Sequence, residues 1–248
     1  MIFKTDGLVI REQTTGERDR LITILTRENG IVRAFVNGGR TIKNKNSSAT
    51  ALLCYSHFSI DKNQKGIYSV REATSKEVFF NLREDIVRLS LAQYFAELAY
   101  ELSPREENAD EFLRLVLNSV YLVCENKKDL GIIKAATELR LLTLAGYMPS
   151  VIACESCGEY ETENMFFSSF SGKLWCEKCK PTERTVKISI GLVSAIRHIC
   201  FSQPEKIYSF SLPKDSILAL CDLSERYLKS VTSRQYKTLD FYKMMTEI

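Results

Sequence analysis

Two Cys-x2-Cys pairs constrain this chain more than any other feature of its sequence. Cys154 and Cys157 form the first pair, and Cys176 and Cys179 form the second after an interval of 18 residues. Each pair presents two thiolates from one tight turn, and the interval lets the two turns meet around a tetrahedral Zn²⁺ ion. Four thiolates leave no open coordination position, so the sequence predicts one structural Zn²⁺ ion. Two disulfides, or four separate core cysteines, are the alternatives that the spacing leaves open.

The composition is that of an ordinary globular protein. The chain has 248 residues, of which 45% are hydrophobic and 26% are charged, enough for one large domain or two ordinary ones. The first residues lack the apolar run of a signal peptide, and no segment has the ~20 apolar residues of a membrane span. We therefore expect a cytoplasmic protein without a membrane anchor, whose eight cysteines are reduced or metal-bound.

Positive charge is concentrated in the N-terminal third of the chain. Residues 1–80 contain 13 Lys or Arg and 8 Asp or Glu, a net charge of +5, whereas the remainder contains 21 and 23, a net charge of −2. No acidic residue occurs between Asn29 and Ile60. A basic module on a mildly acidic body predicts an anionic polymer as the partner of the N-terminal part. A solvated loop with incidental lysines is the alternative.

The first 75 residues have the pattern of short β-strands. Apolar and polar residues alternate from Val32 to Asn37, and the turn at Asn29-Gly30 is typical of a hairpin. Five candidate strands without helical periodicity predict a small barrel, and the OB-fold is the leading interpretation. The candidate strands are residues 7–10, 21–25, 32–36, 52–60 and 67–70.

From about residue 83 the apolar residues repeat with helical spacing. Three helices are predicted before the cysteine pairs and two after them, so the cysteine segment at about 150–182 is an insertion between helices. The predicted fold is therefore an α+β protein of two domains: an N-terminal OB-fold β-barrel over residues 1–80 and an α-helical domain over 81–248 that carries the four-cysteine zinc site.

A DNA-binding surface is predicted on the barrel. Barrels that bind single strands present cations along a groove and aromatic rings on which bases stack. Arg33 and Phe35 share one face of a strand, and Arg40, Lys43 and Lys45 occupy a glycine-containing loop without acidic neighbours. We expect these five residues to contact DNA, and four phosphate contacts to a single strand give a log K against log[salt] slope of about −3. A place in the barrel core is the alternative for Phe35.

Little in the sequence favours catalysis. His57 and His198, the only histidines, belong to no recognisable catalytic signature. We therefore do not expect an enzyme. A zinc-stabilised adaptor that binds proteins without contacting DNA is the main alternative, and a metal-dependent nuclease is disfavoured because all four predicted ligands are thiolates.

Several segments together resemble the bacterial RecO family of recombination mediators over nearly the whole chain. They are the loop Gly38-Gly39-Arg40, the stretch Glu138–Leu142 followed by Gly146-Tyr-Met-Pro149, the cysteine pairs with Phe167–Gly172 between them, and Lys237–Phe241. Gly39 stands where the family usually has Ala, and Thr238 replaces Ser.

The resemblance implies an OB-fold, a helical domain and a zinc site between its helices. It also implies binding of single- and double-stranded DNA, annealing of complementary strands, and action with RecR to place RecA on DNA coated by single-strand-binding protein. RecO-like proteins recognise the acidic, Phe-ending tail of that coating protein at an apolar, basic-rimmed site in the helical domain. Lys134 and Arg140 are the candidate contacts for this tail.

Overall fold

A computed structural model of the chain describes residues 2–17, 19–39, 46–182 and 184–246. The chain divides into two compact units, one comprising Met1–Asn126 with Tyr236–Ile248 and the other Lys127–Gln235. The domain boundary predicted at residue 80 follows the last barrel strand, whereas the compact units divide inside the helical part. That boundary stays a prediction.

Five strands of the first unit close into a barrel in the order β1-β2-β3-β5-β4, with β4 pairing back onto β1. All neighbours are antiparallel except β3 and β5, which are parallel. This connectivity is that of an OB-fold, which confirms the predicted fold. The strands are β1 (Ile2–Thr15), β2 (Asp19–Thr26), β3 (Gly30–Val36), β4 (Cys54–Lys62) and β5 (Tyr68–Val78).

The barrel core follows from the period-2 alternation of these strands. Ile22 and Ile24 of β2, Ala34 of β3 and Phe58 of β4 are completely buried and pack in one cluster. Since successive side chains of a strand point to opposite faces, the residues between them lie on the outer face of the barrel.

Six α-helices lie in the described part of the chain. They are α1 (Ile86–Leu102), α2 (Asp110–Glu125), α3 (Leu130–Leu144), α4 (Ile190–Phe201), α5 (Lys214–Thr232) and α6 (Lys237–Thr246). The first five confirm the predicted helices. The sixth was not predicted: it packs on α1, where the rings of Tyr94 and Tyr236 meet edge to face at 5.9 Å and Thr238 donates a hydrogen bond to Glu97.

The second unit combines α3, α4 and α5 with a small antiparallel sheet in the order β7-β6-β8. Its strands are β6 (Met165–Ser168), β7 (Lys173–Cys176) and β8 (Val186–Ile188). The segment between the cysteine pairs thus forms the β6–β7 hairpin, to which β8 adds a third strand. Asp129 and Ser189 cap the N-termini of α3 and α4 by accepting hydrogen bonds from backbone N–H groups.

Candidate nucleic-acid interface and metal centre

A shallow groove on the outer face of β2 and β3 is the strongest candidate for a nucleic-acid interface. Ala34 points into the barrel core, so its neighbours Arg33 and Phe35 face outward. Arg33 is exposed, and Phe35 is half-buried beside its cross-strand partner Leu21. Phe35 therefore lies outside the barrel core and beside a cation.

Two further segments complete this groove, which has a volume of about 630 Å³. The loop between β4 and β5 and the first residue of β5 contribute Gly66–Tyr68, and the connection between α1 and α2 contributes Arg105 and Glu106. We call this site the β2–β3 groove. The face of strands 2 and 3 together with the loop between strands 4 and 5 is where OB-folds bind oligonucleotides.

The connection between α1 and α2 is fixed against the β2–β3 turn by backbone hydrogen bonds. The N–H of Ile31 donates to the carbonyl of Pro104 at 3.0 Å, and the N–H of Glu106 donates to the carbonyl of Asn29 at 3.2 Å. Gly30 makes this approach possible, because a Cβ atom there would lie 2.2 Å from the Pro104 carbonyl oxygen. The backbone groups of the residues on both sides of Arg105 thus hold it at the rim of the groove.

The groove combines cations with aromatic rings. Within the described ranges, Arg33 and Arg105 are exposed and have no carboxylate within ion-pair distance, although Glu106 also lines the groove. The Nζ atom of Lys62 lies 5.0 Å from the centroid of the Tyr68 ring. Cations beside partly exposed aromatic rings are what a single nucleic-acid strand requires for phosphate contact and base stacking.

Tyr68 and Arg105 were not predicted as site residues. Tyr68 is at the first position of β5, and Arg105 is 72 residues along the chain from Arg33. Only the closure of the barrel and the backbone pairing of Arg105 with Gly30 bring them to the groove. A basic residue directly after the Ser103-Pro104 helix stop was the one available signal for Arg105.

The predicted loop cations Arg40, Lys43 and Lys45 lie outside the described residues. The segments that flank them are firmly held. On one side, the N–H of Gly38 donates to Asp19 at 2.7 Å. On the other, Arg20 donates to the carbonyl of Ser47 at 3.0 Å and to Thr50 at 2.7 Å.

The second candidate site brings together all four cysteines of the two pairs. The sulfur atoms of Cys154, Cys157, Cys176 and Cys179 lie within 4.8 Å of one another. Four sulfur atoms bound to one tetrahedral Zn²⁺ at about 2.3 Å are about 3.8 Å apart, and the Cys157 and Cys176 sulfurs are 3.7 Å apart. Among the residues that the structure describes, this is the one group of three or more side chains arranged to hold a metal ion.

Local backbone structure positions these thiols. Cys176 is the last residue of β7 and pairs with Met165 of β6, so the hairpin delivers the second pair. In the first pair, the N–H of Gly158 donates to the carbonyl of Cys154 at 2.9 Å. Gly158 has a φ of +72°, a conformation that closes the turn and that glycine adopts at low cost.

The thiols differ in their tendency to ionise. Burial opposes ionisation of Cys154, but backbone hydrogen bonds from Cys176, Cys157 and Ser156 outweigh it and lower its pKa to about 6. The sulfur atoms of Cys157 and Cys176 raise the pKa of Cys179 to about 12. The close approach of the sulfur atoms thus opposes ionisation of Cys179, and a bound dication is what allows all four cysteines to be thiolates together. The donor set fits Zn²⁺, which favours four thiolate ligands in a closed site.

The two cysteines of the second unit that lie outside the cluster, Cys200 and Cys221, do not share this tendency to ionise. Burial raises the pKa of Cys200 and of Cys221 to about 11, so both remain thiols at neutral pH. They serve as small apolar side chains.

Lys134 and Arg140, the predicted contacts for a partner tail, are engaged within the second unit. Lys134 is 4% exposed, and its Nζ lies 2.8 Å from a carboxylate oxygen of Glu138 and 3.5 Å from one of Glu225. Arg140 donates to the carbonyls of Ile199 and Cys200 at the end of α4. The two side chains therefore do not form one exposed basic rim, and tail binding by them stays a prediction.

The histidines are held by local contacts. His57 shares a hydrogen bond with Asp6 at 2.8 Å, and His198 contacts the carbonyl of Lys206 at 2.7 Å. In the described part of the chain, no helix is both long and apolar enough to cross a membrane.

Family comparison agrees with this architecture. Residues 1–79 match the family model "Recombination protein O N terminal", and residues 83–240 match "Recombination protein O C terminal". The chain belongs to the RecO family. The break between the two RecO models falls where β5 has ended and before α1 begins.

Curated relatives match this chain over most of its length. The DNA repair protein RecO of Acetivibrio thermocellus is 33% identical over 247 residues, which cover 99% of this chain and 98% of the relative. That of Alkaliphilus metalliredigens is 30% identical and covers 84% of each chain. That of Dehalococcoides mccartyi is 30% identical and covers 96% of this chain and 93% of its own. The chain is thus a member of a family of recombination and DNA repair proteins.

Proposed function

We propose that this RecO-family chain is a DNA-repair mediator whose barrel binds DNA in the β2–β3 groove. The observation that carries the proposal is the groove itself, in which Arg33 and Arg105 stand beside Phe35 and Tyr68. In the part of the chain that the structure describes, these two arginines have no carboxylate partner, so they can bind phosphates without breaking an ion pair. The aromatic rings can stack on bases. Both are features of single-strand binding without sequence-specific reading.

The full proposed activity is that which the RecO resemblance implies. The chain binds single- and double-stranded DNA, anneals complementary strands and, with RecR, helps to load RecA onto DNA coated by single-strand-binding protein. Annealing needs no covalent chemistry, since a cationic surface lowers the repulsion between two phosphate backbones. Recognition of the coating protein's tail through Lys134 would have to compete with Glu138 and Glu225 for the same ammonium group.

The four cysteines hold one structural Zn²⁺ ion in this proposal. The metal braces the segment between α3 and α4, and its closed ligand set gives it no part in a reaction. A reducing cytoplasm keeps the thiols available for the metal.

Single-strand affinity of two matched double variants tests the DNA proposal. Arg33→Gln/Phe35→Leu removes one cation and one ring from the groove, and we expect at least tenfold weaker binding of a labelled oligothymidylate, measured by anisotropy. Arg226→Gln/Phe170→Leu removes the same two groups from exposed positions of the other unit and should bind like the wild type.

The same titrations separate the adaptor hypothesis from this one. A wild-type chain that fails to bind the oligonucleotide, or binds it with no dependence on salt, would favour a protein-binding adaptor. Equal affinity of the two double variants would place any DNA contact outside the groove.

A further inference from the structure

Tyr100 of α1 lies between two arginines at one end of the β2–β3 groove. The guanidinium carbon of Arg11 is 5.5 Å from the centroid of the Tyr100 ring, and that of Arg105 is 5.4 Å from it. Arg11 and Arg105 are exposed, and Tyr100 is half-buried. We call these three residues the Tyr100 platform.

A β-bulge places Arg11 on this surface. Val9 of β1 pairs with Ile24, but the next aligned pair is Arg11 with Thr23, so Ile10 is an extra residue in the strand. Without this insertion Arg11 would be aligned with Ile22, which points into the barrel core. The bulge therefore turns a charged side chain from the core face to the outer face.

The platform is continuous with the groove. Thr23 is the cross-strand partner of Arg11 on one side and of Arg33 on the other, so the two arginines lie in one row on the outer face. Two strand spacings separate them, about 10 Å. Arg105 belongs to both surfaces, since it lines the groove and lies beside the Tyr100 ring.

The charge of the platform is available for an anion. Across the described ranges, neither Arg11 nor Arg105 has a carboxylate within ion-pair distance. A guanidinium that lies beside an aromatic ring loses little freedom when it binds, and its N–H groups match the geometry of a phosphate. Two such groups on one ring are suited to consecutive phosphates of a single chain.

We propose that the Tyr100 platform is a phosphate clamp that extends the path of single-stranded DNA beyond the β2–β3 groove. Arg11 and Arg105 bind the backbone, and Tyr100 is a positioning residue that holds both guanidinium groups. This inference rests on the proposed DNA binding in the groove. It adds Arg11 of β1 and Tyr100 of α1 to the path of the strand, beside Arg105, and this part of the path involves no base.

Salt titration of oligothymidylate binding by the full-length protein tests the clamp. Arg11→Gln should make the log K against log[salt] slope shallower by about 0.7, the value for one phosphate contact to a single strand. Arg71→Gln is the matched control, because Arg71 is an exposed barrel arginine already paired with Asp61 at 2.9 Å. It should leave the slope at its wild-type value.

Two substitutions of Tyr100 test the positioning role. Tyr100→Leu removes no charge, yet we expect it to weaken binding about threefold to tenfold, because both arginines lose their support. Tyr100→Phe keeps the ring and should bind like the wild type. Urea unfolding of both variants shows whether the fold is intact, and a loss of affinity shared by Tyr100→Phe would overturn the positioning role.

The outcomes distinguish the clamp from the groove. If Arg33→Gln/Phe35→Leu weakens binding but Arg11→Gln and Tyr100→Leu leave affinity and slope unchanged, the groove stands and the clamp is wrong. If none of these variants changes binding, both proposals fail. If Arg11→Gln changes the salt slope and Arg33→Gln/Phe35→Leu changes neither slope nor affinity, DNA follows the Tyr100 platform instead of the groove.

Discussion

The guanidinium of Arg197 lies 4.0 Å from the centroid of the Tyr160 ring, in the segment that carries the first cysteine pair. The same guanidinium donates hydrogen bonds to the carbonyls of Val151, Ile152 and Tyr160 at 2.7–2.8 Å and pairs with Glu161 at 2.8 Å. These partners lie on both sides of Cys154 and Cys157 in the chain. One buried side chain of α4 therefore closes the loop that presents half of the metal site.

We expect Arg197→Met to destabilise the second unit and its metal site. The substitution keeps most of the apolar stem but leaves three carbonyls without a donor and Glu161 without its partner, a loss of about 3–5 kcal/mol. Urea unfolding measures the stability of the variant, and the rate of zinc transfer to a chromogenic chelator measures how readily the site releases its metal.

Arg226→Met is the control for Arg197→Met. Arg226 is exposed and pairs with Asp222 one helical turn away on α5, so its loss should change stability by less than about 0.5 kcal/mol. Equal stability of the two variants would mean that Arg197 does not hold the loop.

The barrel and the cysteine site could be predicted from sequence because their signals are local. The alternation of side chains along β3, the Asn29-Gly30 turn and each cysteine pair are patterns that lie within a few consecutive residues. The faces of β2 were harder to assign. Leu21 and Leu25 are as apolar as Ile22 and Ile24, so the pattern alone does not say which set fills the core.

The rest depends on contacts between distant residues. Phe35 has a strand-face neighbour in Arg33, but it shares a groove with Tyr68 and Arg105 only because the barrel closes and Arg105 pairs with Gly30. Lys134 was a candidate partner contact because it lies beside an apolar helix face. The residues of α3 from Ile132 to Leu142 are nearly all buried, and Glu138, one helical turn after Lys134, was the available sign of a buried pair.

Zinc binding should depend on Cys157 although this residue is exposed. Serine supplies no thiolate, so Cys157→Ser opens the closed ligand set. Metal binding and folding are coupled at about 10–16 kcal/mol for structural Zn²⁺ sites, and loss of one ligand should forfeit much of that. We expect purified Cys157→Ser to contain little zinc by elemental analysis and its second unit to unfold or aggregate.

Cys221→Ser provides the comparison for Cys157→Ser. The Cys221 thiol donates to the carbonyl of Gly131 at 3.3 Å, and a hydroxyl group can make the same bond. Cys221→Ser should therefore retain one zinc ion per chain. A wild-type protein that is purified under reducing conditions without zinc, and that binds none on titration, would contradict the structural-metal assignment.

Substitutions at Phe35 and Phe58 should have different effects, one mainly on DNA affinity and the other mainly on stability. Phe58 is completely buried in the barrel core, so Phe58→Ala should cost about 3–5 kcal/mol of unfolding free energy. Phe35 is half-buried on the outer face, so Phe35→Ala should cost about 1 kcal/mol. Loss of one stacked base should instead weaken oligothymidylate binding by about 1–3 kcal/mol, roughly 5- to 150-fold.

Chemical denaturation and anisotropy on both phenylalanine variants make this comparison. A Phe35→Ala protein as unstable as Phe58→Ala would place Phe35 among the core residues. Unchanged oligonucleotide affinity of a folded Phe35→Ala protein would remove this ring from the interface.

The buried pair of Lys134 and Glu138 should be strongly coupled. Burial works against the ammonium group, but the Glu138 carboxylate holds the pKa of Lys134 above its usual value. Ser224 also donates to Glu138 at 2.6 Å. Lys134→Met leaves Glu138 buried without a counter-charge and should cost about 3–5 kcal/mol.

Replacing both members of the pair should be less harmful than removing Lys134 alone. Lys134→Met/Glu138→Leu leaves no uncompensated carboxylate at position 138, and Glu225 keeps its ion pair with Lys229 at 2.9 Å. Denaturant unfolding of both single variants and the double variant gives the coupling free energy, which we expect to exceed about 1 kcal/mol. Additive losses would mean that the two charges do not stabilise each other.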